Sequence, residues 1–117
     1  MGTMSRALAL ERSGDYRDAA RALFETMDES DTDKSAIAEW LATCLDEVGA
    51  PGEAASWFEA AAQLALAADV APAPRRVADA LHFLERAVGC HYASGNEDAA
   101  ERVNVVARVL AKCCPPA

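Results

Sequence analysis

One short phrase occurs three times in this 117-residue chain and constrains its fold more than any other feature. In each copy a glycine is followed five positions later by an alanine, between two segments with helical spacing of apolar residues. A glycine permits the tight turn that ends a helix, and a small residue just inside the next helix lets the two backbones approach. The phrases therefore predict three helix pairs. The three phrases are Gly14–Ala19, Gly49–Ala54 and Gly95–Ala100.

The composition favours helices throughout the chain. It is 52% hydrophobic but only 6% aromatic, and 28 of its residues are alanine. Alanine is the best helix former and is depleted in strands, so this composition predicts an all-α fold. The length fits one domain, residues 1–117. No apolar run approaches the roughly 20 residues of a membrane span.

Apolar residues at three- and four-residue spacing predict six helices between the glycines and prolines. Asp33 is a candidate N-cap for the third helix, and the proline-rich joint at 69–76 cannot continue the fourth. The predicted helices span about Ser5–Ser13, Tyr16–Asp28, Lys34–Val48, Pro51–Ala68, Arg75–Ser94 and Glu97–Lys112.

The repeated pairs resemble the tetratricopeptide repeat, a helix–turn–helix unit of about 34 residues. Gly14-Asp15-Tyr16 matches the family's turn closely, and Ala42 and Phe58 have its spacing around the second turn. The third unit departs from the pattern at Val88 and Asn104. The resemblance implies about three stacked repeats in a short α–α superhelix, and the alternative is a plain six-helix bundle with coincidental turns. The implied repeats cover about 5–30, 33–69 and 75–113.

The resemblance also implies a concave groove, lined by the first helix of each pair, that holds an extended peptide. Arg86 is the only base among the positions carried over, so we expect a basic or neutral peptide rather than an acidic one. Trp40 and Tyr92 would offer apolar or cation–π contact, or else pack between repeats. His82 has the alternative of being an ordinary surface histidine. The groove positions are Leu8, Glu11, Glu39, Trp40, Thr43, Asp46, His82, Glu85, Arg86, Gly89 and Tyr92.

The acidity is concentrated in one quarter of the chain. The formal net charge is −8, and residues 28–53 carry −7 of it. This segment is either a solvated surface or a patch that attracts a basic partner, and such acidity argues against nucleic acid as a partner. Its acids are Asp28, Glu29, Asp31, Asp33, Glu39, Asp46, Glu47 and Glu53.

The cysteines form no C-x-x-C pair and follow no secretory signal, which indicates reduced thiols in the cytoplasm. Two of them lie five residues before a turn glycine, a regularity that predicts core positions. We expect no cofactor and no metal, because Cys90-His91 and Cys113-Cys114 match no usual zinc spacing. The four cysteines are Cys44, Cys90, Cys113 and Cys114.

The sixth predicted helix is apolar over most of its circumference, whereas a terminal repeat helix usually has a polar outer face. We therefore expect its outer face to be covered by a second subunit in a two-fold dimer. In the alternative, the first helix pair folds across it. The expected interface comprises Val103, Val105, Val106, Val109 and Leu110.

These features predict a non-catalytic protein–protein interaction module, adaptor or chaperone-like, with a mildly acidic groove and no enzymatic activity. A competing hypothesis is a helical domain that binds a small ligand or catalyses a reaction through His82, His91 and the cysteines. A third is a purely structural oligomerisation domain, in which the groove is the subunit interface. An enclosed pocket with converging histidine and cysteine would favour the second hypothesis over the first.

Overall fold

A computed structural model describes residues 3–28, 33–67 and 73–113 and shows an all-α fold. The described part contains six helices and no strand, which confirms the predicted fold class. None of its helices has the length and apolarity needed to cross a membrane. Residues 29–32 of the acidic segment, Ala68 at the predicted end of the fourth helix, 69–72 of the proline-rich joint and Cys114 lie outside the described ranges. The helices are α1 (Thr3–Arg12), α2 (Tyr16–Thr26), α3 (Lys34–Glu47), α4 (Pro51–Ala67), α5 (Ala73–Ala93) and α6 (Glu97–Cys113).

Side-chain caps determine where two of the helices begin. The Asp33 carboxylate accepts a hydrogen bond from the backbone N–H of Ala36 at 3.2 Å, as expected for the N-cap of α3. The Asn96 side chain accepts the corresponding bond from Ala99 at 3.1 Å and caps α6. Each cap satisfies one of the backbone donors that a helix leaves unpaired in its first turn.

Helix α5 begins at Ala73, two residues before the predicted start. The prediction treated Pro74 as part of a joint that excludes helix. In the first turn, however, the missing N–H of proline has no intrahelical acceptor to lose, and the fixed φ of the ring suits a helix. Pro74 therefore belongs to α5.

The three helix pairs turn on the same backbone geometry. Gly14, Gly49 and Gly95 have φ values of +82°, +82° and +79°. Each glycine N–H donates to the carbonyl three residues earlier, at 3.0–3.1 Å. The next N–H donates to the carbonyl five residues earlier, at 2.9–3.0 Å, which completes a Schellman motif. The alanines five positions after the glycines are all fully buried: Ala19, Ala54 and Ala100.

The helices stack in two layers. Consecutive helices pack against one another along the chain, from α1 on α2 through to α5 on α6. Side-chain contacts also join alternate helices: Trp40 of α3 reaches Glu11 of α1, and the rings of Phe24 in α2 and Trp57 in α4 meet edge to face. The odd-numbered helices thus form one layer and the even-numbered helices the other. Because Val105, Val106 and Val109 on the outer face of α6 are exposed, the alternative in which the first pair folds across α6 is wrong.

Alanine makes up more than half of the buried apolar residues in the described part of the chain. An alanine buries little apolar area, and the hydrophobic gain of folding scales with that area. The largest of the fully buried side chains therefore contribute much of the core's stability. They are Phe58, Leu23, Val103, Thr26 and Cys44.

Whether replacing a glycine by alanine stabilises or destabilises the protein is predicted to depend on the backbone conformation at that glycine. Gly49→Ala is expected to destabilise the protein by about 1–2 kcal/mol, because alanine is strained at positive φ. Gly89→Ala, inside α5, is expected to stabilise it by about 0.5–1 kcal/mol, because alanine is the better helix former. An added Cβ meets nothing within 4 Å at either site, so only the backbone conformation differs. Urea unfolding measures both changes, and equal effects would contradict the turn geometry.

Candidate partner-binding groove

A depression of about 280 Å³ lies between α3 and α5 in the odd layer. Four of the positions expected in the groove line it together, one from α3 and three from α5. Two residues near the end of α5, Cys90 and Ala93, also line it. The four expected positions are Asp46, Glu85, Arg86 and Gly89.

The charges in this depression are unequally available to a ligand. Asp46 and Glu85 are exposed. Arg86 is half-buried, and its guanidinium carbon lies 4.7 Å from the centre of the buried Phe58 ring, within cation–π range. Two carboxylates therefore face solvent, whereas the one guanidinium is stacked on the core. The electrostatics of the depression favour a cationic group.

The same face continues along α3 and α5 towards their N-terminal halves. Glu39, Thr43 and Asp46 follow one another at helical spacing and share one side of α3. The Glu39 carboxylate lies 3.8 Å from His82 Nε2, so α3 and α5 also meet beyond the depression. The Thr43 hydroxyl donates to the Glu39 carbonyl at 2.9 Å and is occupied within its own helix. His82 is an exposed surface histidine.

Glu11 and Trp40 hold α1 against α3. The half-buried Trp40 indole N–H donates to the Glu11 carboxylate, and Cys44 Sγ lies 3.5 Å from the same oxygen. Burial, together with the hydrogen bond to Glu11, raises the pKa of the Cys44 thiol to about 12. The structure thus places Trp40 and Glu11 in packing between helices, which was the alternative considered for Trp40. From α1, only Leu8 is exposed among the expected positions.

Tyr92 lies against α6 rather than in the depression. Its hydroxyl donates to the Glu101 carboxylate at 3.0 Å, and this hydrogen bond raises the Tyr92 pKa. The ring is nearly half exposed, but its polar end is directed to the even layer. The expected aromatic contact from Tyr92 is therefore not part of the depression lined by Asp46 and Glu85.

The histidines and cysteines do not converge. His91 is buried, with Nε2 2.9 Å from the Glu59 carboxylate of α4, whereas His82 is on the odd layer's surface. Cys44 and Cys90 are buried as expected, and burial raises the pKa of both thiols. A raised pKa disfavours the thiolate that a nucleophile or metal ligand requires. No group of three His, Cys, Asp or Glu side chains suited to a metal occurs in the ranges that the structure describes.

The outer face of α6 is apolar and exposed, but Val103 does not belong to it. Val105, Val106 and Val109 are 52%, 52% and 54% exposed, whereas Val103 is 2% exposed. Two positions along a helix differ by about 200°, so Val103 points into the core while Val105 points out. The interface expected from the sequence therefore loses Val103, and Leu110 is partly buried against the core.

A second depression, of about 240 Å³, separates α4 from α6 in the even layer. Leu66 and Val106 form its exposed apolar walls. Val103 and Leu84 line its inner part. Sequence patterning did not predict this depression, because it depends on the distance between two helices that are not consecutive.

No family model matches this chain, and no curated protein or solved structure matches it either. Function is therefore inferred from the residues of the odd layer. Of the acids in residues 28–53, only Glu39 and Asp46 lie on the face with the depression, and Glu29 and Asp31 are outside the described ranges.

Proposed function

We propose that this chain is a non-catalytic, tetratricopeptide-like interaction module, adaptor or chaperone-like, that binds a basic or neutral peptide segment on its odd layer. The observation that carries the proposal is the depression between α3 and α5, where Asp46 and Glu85 are exposed and Arg86 is stacked on Phe58. Three identical turns and two layers of helices support the resemblance to the repeat family.

The partner's chemistry follows from the charges on this face. Glu39 and Asp46 lie seven residues apart on α3, which is about 10 Å along a helix. A peptide in the polyproline II conformation rises about 9 Å over three residues and presents every third side chain on the same side, so lysine or arginine at every third position would meet both carboxylates. A peptide's terminal carboxylate would be repelled, because the depression presents two exposed carboxylates and its one guanidinium is already stacked on Phe58.

The described cysteines support the compartment expected from the sequence. Cys44, Cys90 and Cys113 are all free thiols. Free thiols are the usual state in a reducing compartment, so we place this module in the cytoplasm.

The test removes the three carboxylates of the face while keeping their shapes. We expect the triple variant Glu39→Gln, Asp46→Asn, Glu85→Gln to bind a short fluorescein-labelled peptide, with lysine at every third position, roughly tenfold more weakly. The salt dependence of binding is also expected to flatten, because fewer charges attract the peptide. Fluorescence anisotropy at several salt concentrations measures both quantities.

The matched control removes three acids from the even layer. The triple variant Asp18→Asn, Glu25→Gln, Glu53→Gln has the same net charge, and all three positions are exposed. We expect this control to keep most of the affinity, because its substitutions lie away from the depression. Equal loss in the two triple variants would show a net-charge effect and overturn the groove as the binding site.

A further inference from the structure

The outer face of α6 carries charge in a definite order around an apolar centre. Asp98, Glu101, Val105, Val109 and Lys112 recur at three- and four-residue spacing, so they share the face opposite Val103. All five are exposed. The face therefore presents acid, valine and base in sequence from its N-terminal to its C-terminal end.

The order of charge selects one orientation for a second copy. The half of α6 before Val105 carries three acids and one base, and the half after it carries two bases and no acid. A parallel copy would place like charges together, whereas an antiparallel copy places the acidic half of each helix on the basic half of the other. The acids are Glu97, Asp98 and Glu101, and the bases are Arg102, Arg108 and Lys112.

We propose that two copies of this chain pair through α6, antiparallel, about a two-fold axis at Val105. Glu101 and Arg108 are seven residues apart, about two turns, and lie on opposite sides of Val105 along the helix. The two-fold axis brings Glu101 of each copy to Arg108 of the other and places the two Val105 side chains in contact. This is an isologous interface, in which the same patch serves both copies.

The apolar part of the interface extends beyond α6. Val106 is turned towards α4 and lines the even-layer depression with Leu66, which is also exposed. The second copy covers Val105 and Val109 and adjoins this depression. The odd layer remains open in both copies, so the proposal is independent of peptide binding, and the groove triple variant is expected to remain dimeric.

The first measurement is the mass in solution. Sedimentation equilibrium is expected to give twice the 12.4 kDa of the chain. Val105→Asp is expected to give the single-chain mass, because it places two carboxylates together at the axis. Ala78→Asp, at an exposed position of α5, adds the same charge away from the interface and is expected to stay dimeric. A monomeric wild-type protein, or a dimeric Val105→Asp variant, overturns the proposal.

A charge exchange tests the pairing itself. Glu101→Arg and Arg108→Glu are each expected to weaken the dimer roughly tenfold, because each creates two repulsive pairs. The double variant Glu101→Arg, Arg108→Glu exchanges both charges and is expected to restore most of the affinity. Tyr92→Phe controls for the hydrogen bond that Glu101 accepts within its own chain. A double variant weaker than both single variants contradicts the proposed pairs.

Disulfide crosslinking tests the orientation. In a background with Cys113→Ser and Cys114→Ser, Val105→Cys is expected to form a disulfide dimer under oxidised glutathione. The native Cys113, in a Cys114→Ser background, is expected to form none. It lies eight residues from the axis, so its two copies are about 24 Å apart, far beyond the roughly 7 Å between Cα atoms that a disulfide spans. Position 105 would crosslink in a parallel pair as well, so Cys113 decides the orientation: crosslinking through Cys113 would show that the two helices run parallel and would overturn the proposal.

Discussion

Phe58→Ala is expected to lower the free energy of unfolding by about 3–5 kcal/mol. Phe58 is the largest side chain in the core with none of its surface exposed, and more than half of the buried apolar residues of the described part are alanines. Small neighbours on fixed helices cannot move far to fill the space, so a cavity remains. A domain of this kind has a total stability of about 5–15 kcal/mol, and the loss is a large part of it.

The matched control is the same substitution at the chain's exposed phenylalanine. Phe24 is 57% exposed and meets Trp57 only edge to face, with ring centroids 5.7 Å apart. Phe24→Ala is therefore expected to cost about 1 kcal/mol. Urea unfolding monitored by tryptophan fluorescence compares the two variants. Similar losses at both positions would contradict the burial of Phe58.

Phe58 also connects the core to the candidate groove. Arg86 lies over the buried ring and lines the depression between α3 and α5. Without the ring, the guanidinium loses its cation–π contact and is free to pair with the carboxylates of Asp46 and Glu85. We therefore expect a folded Phe58→Leu variant to bind a basic peptide less well, although neither the ring nor its replacement touches the peptide.

Local signals in the sequence were sufficient for the helices. Tyr16, Lys34, Pro51 and Glu97 are both the predicted and the observed first residues of their helices. Each follows a turn glycine or a capping residue, and these act through backbone geometry within a few positions. The predicted ends differ by one or two residues, which is the usual fraying of a last turn.

The partners of individual side chains required the three-dimensional structure. Periodicity placed Glu11 and Trp40 on the same layer, but it does not reveal that Trp40 donates to Glu11 across two helices. Nor does it reveal that Tyr92 turns to Glu101 on α6. In both pairs the contact depends on helix spacing and side-chain rotamers, and residues near in sequence do not determine either. This is why only part of the expected groove lies together in the structure.

The sixth helix shows the same limit most clearly, because its two apolar stripes both contain valine. Helical periodicity assigns Val103 and Val105 to different stripes, but it does not determine which stripe packs against α5. The packing decides it: Val103 is buried and Val105 is exposed. The sequence therefore predicted an apolar helix correctly and assigned Val103 to the wrong side of it.

Because Val103 is buried and Val105 is exposed, the same substitution at these two positions of α6 is expected to have very different effects. Val103→Asp is expected to destabilise the protein by more than about 4 kcal/mol, because it buries a carboxylate without a compensating partner. Val105→Asp is expected to change the stability of the single chain by about 0.5 kcal/mol or less, since the carboxylate stays in water. Thermal and urea unfolding are compared at protein concentrations low enough for the chain to be monomeric, because association adds stability that depends on concentration. The two variants have the same composition and charge, so a difference reports only the direction in which each side chain points. If Val105→Asp unfolds the monomer as Val103→Asp does, the exposed stripe of α6 is instead part of the core, and the face proposed for dimerisation does not exist.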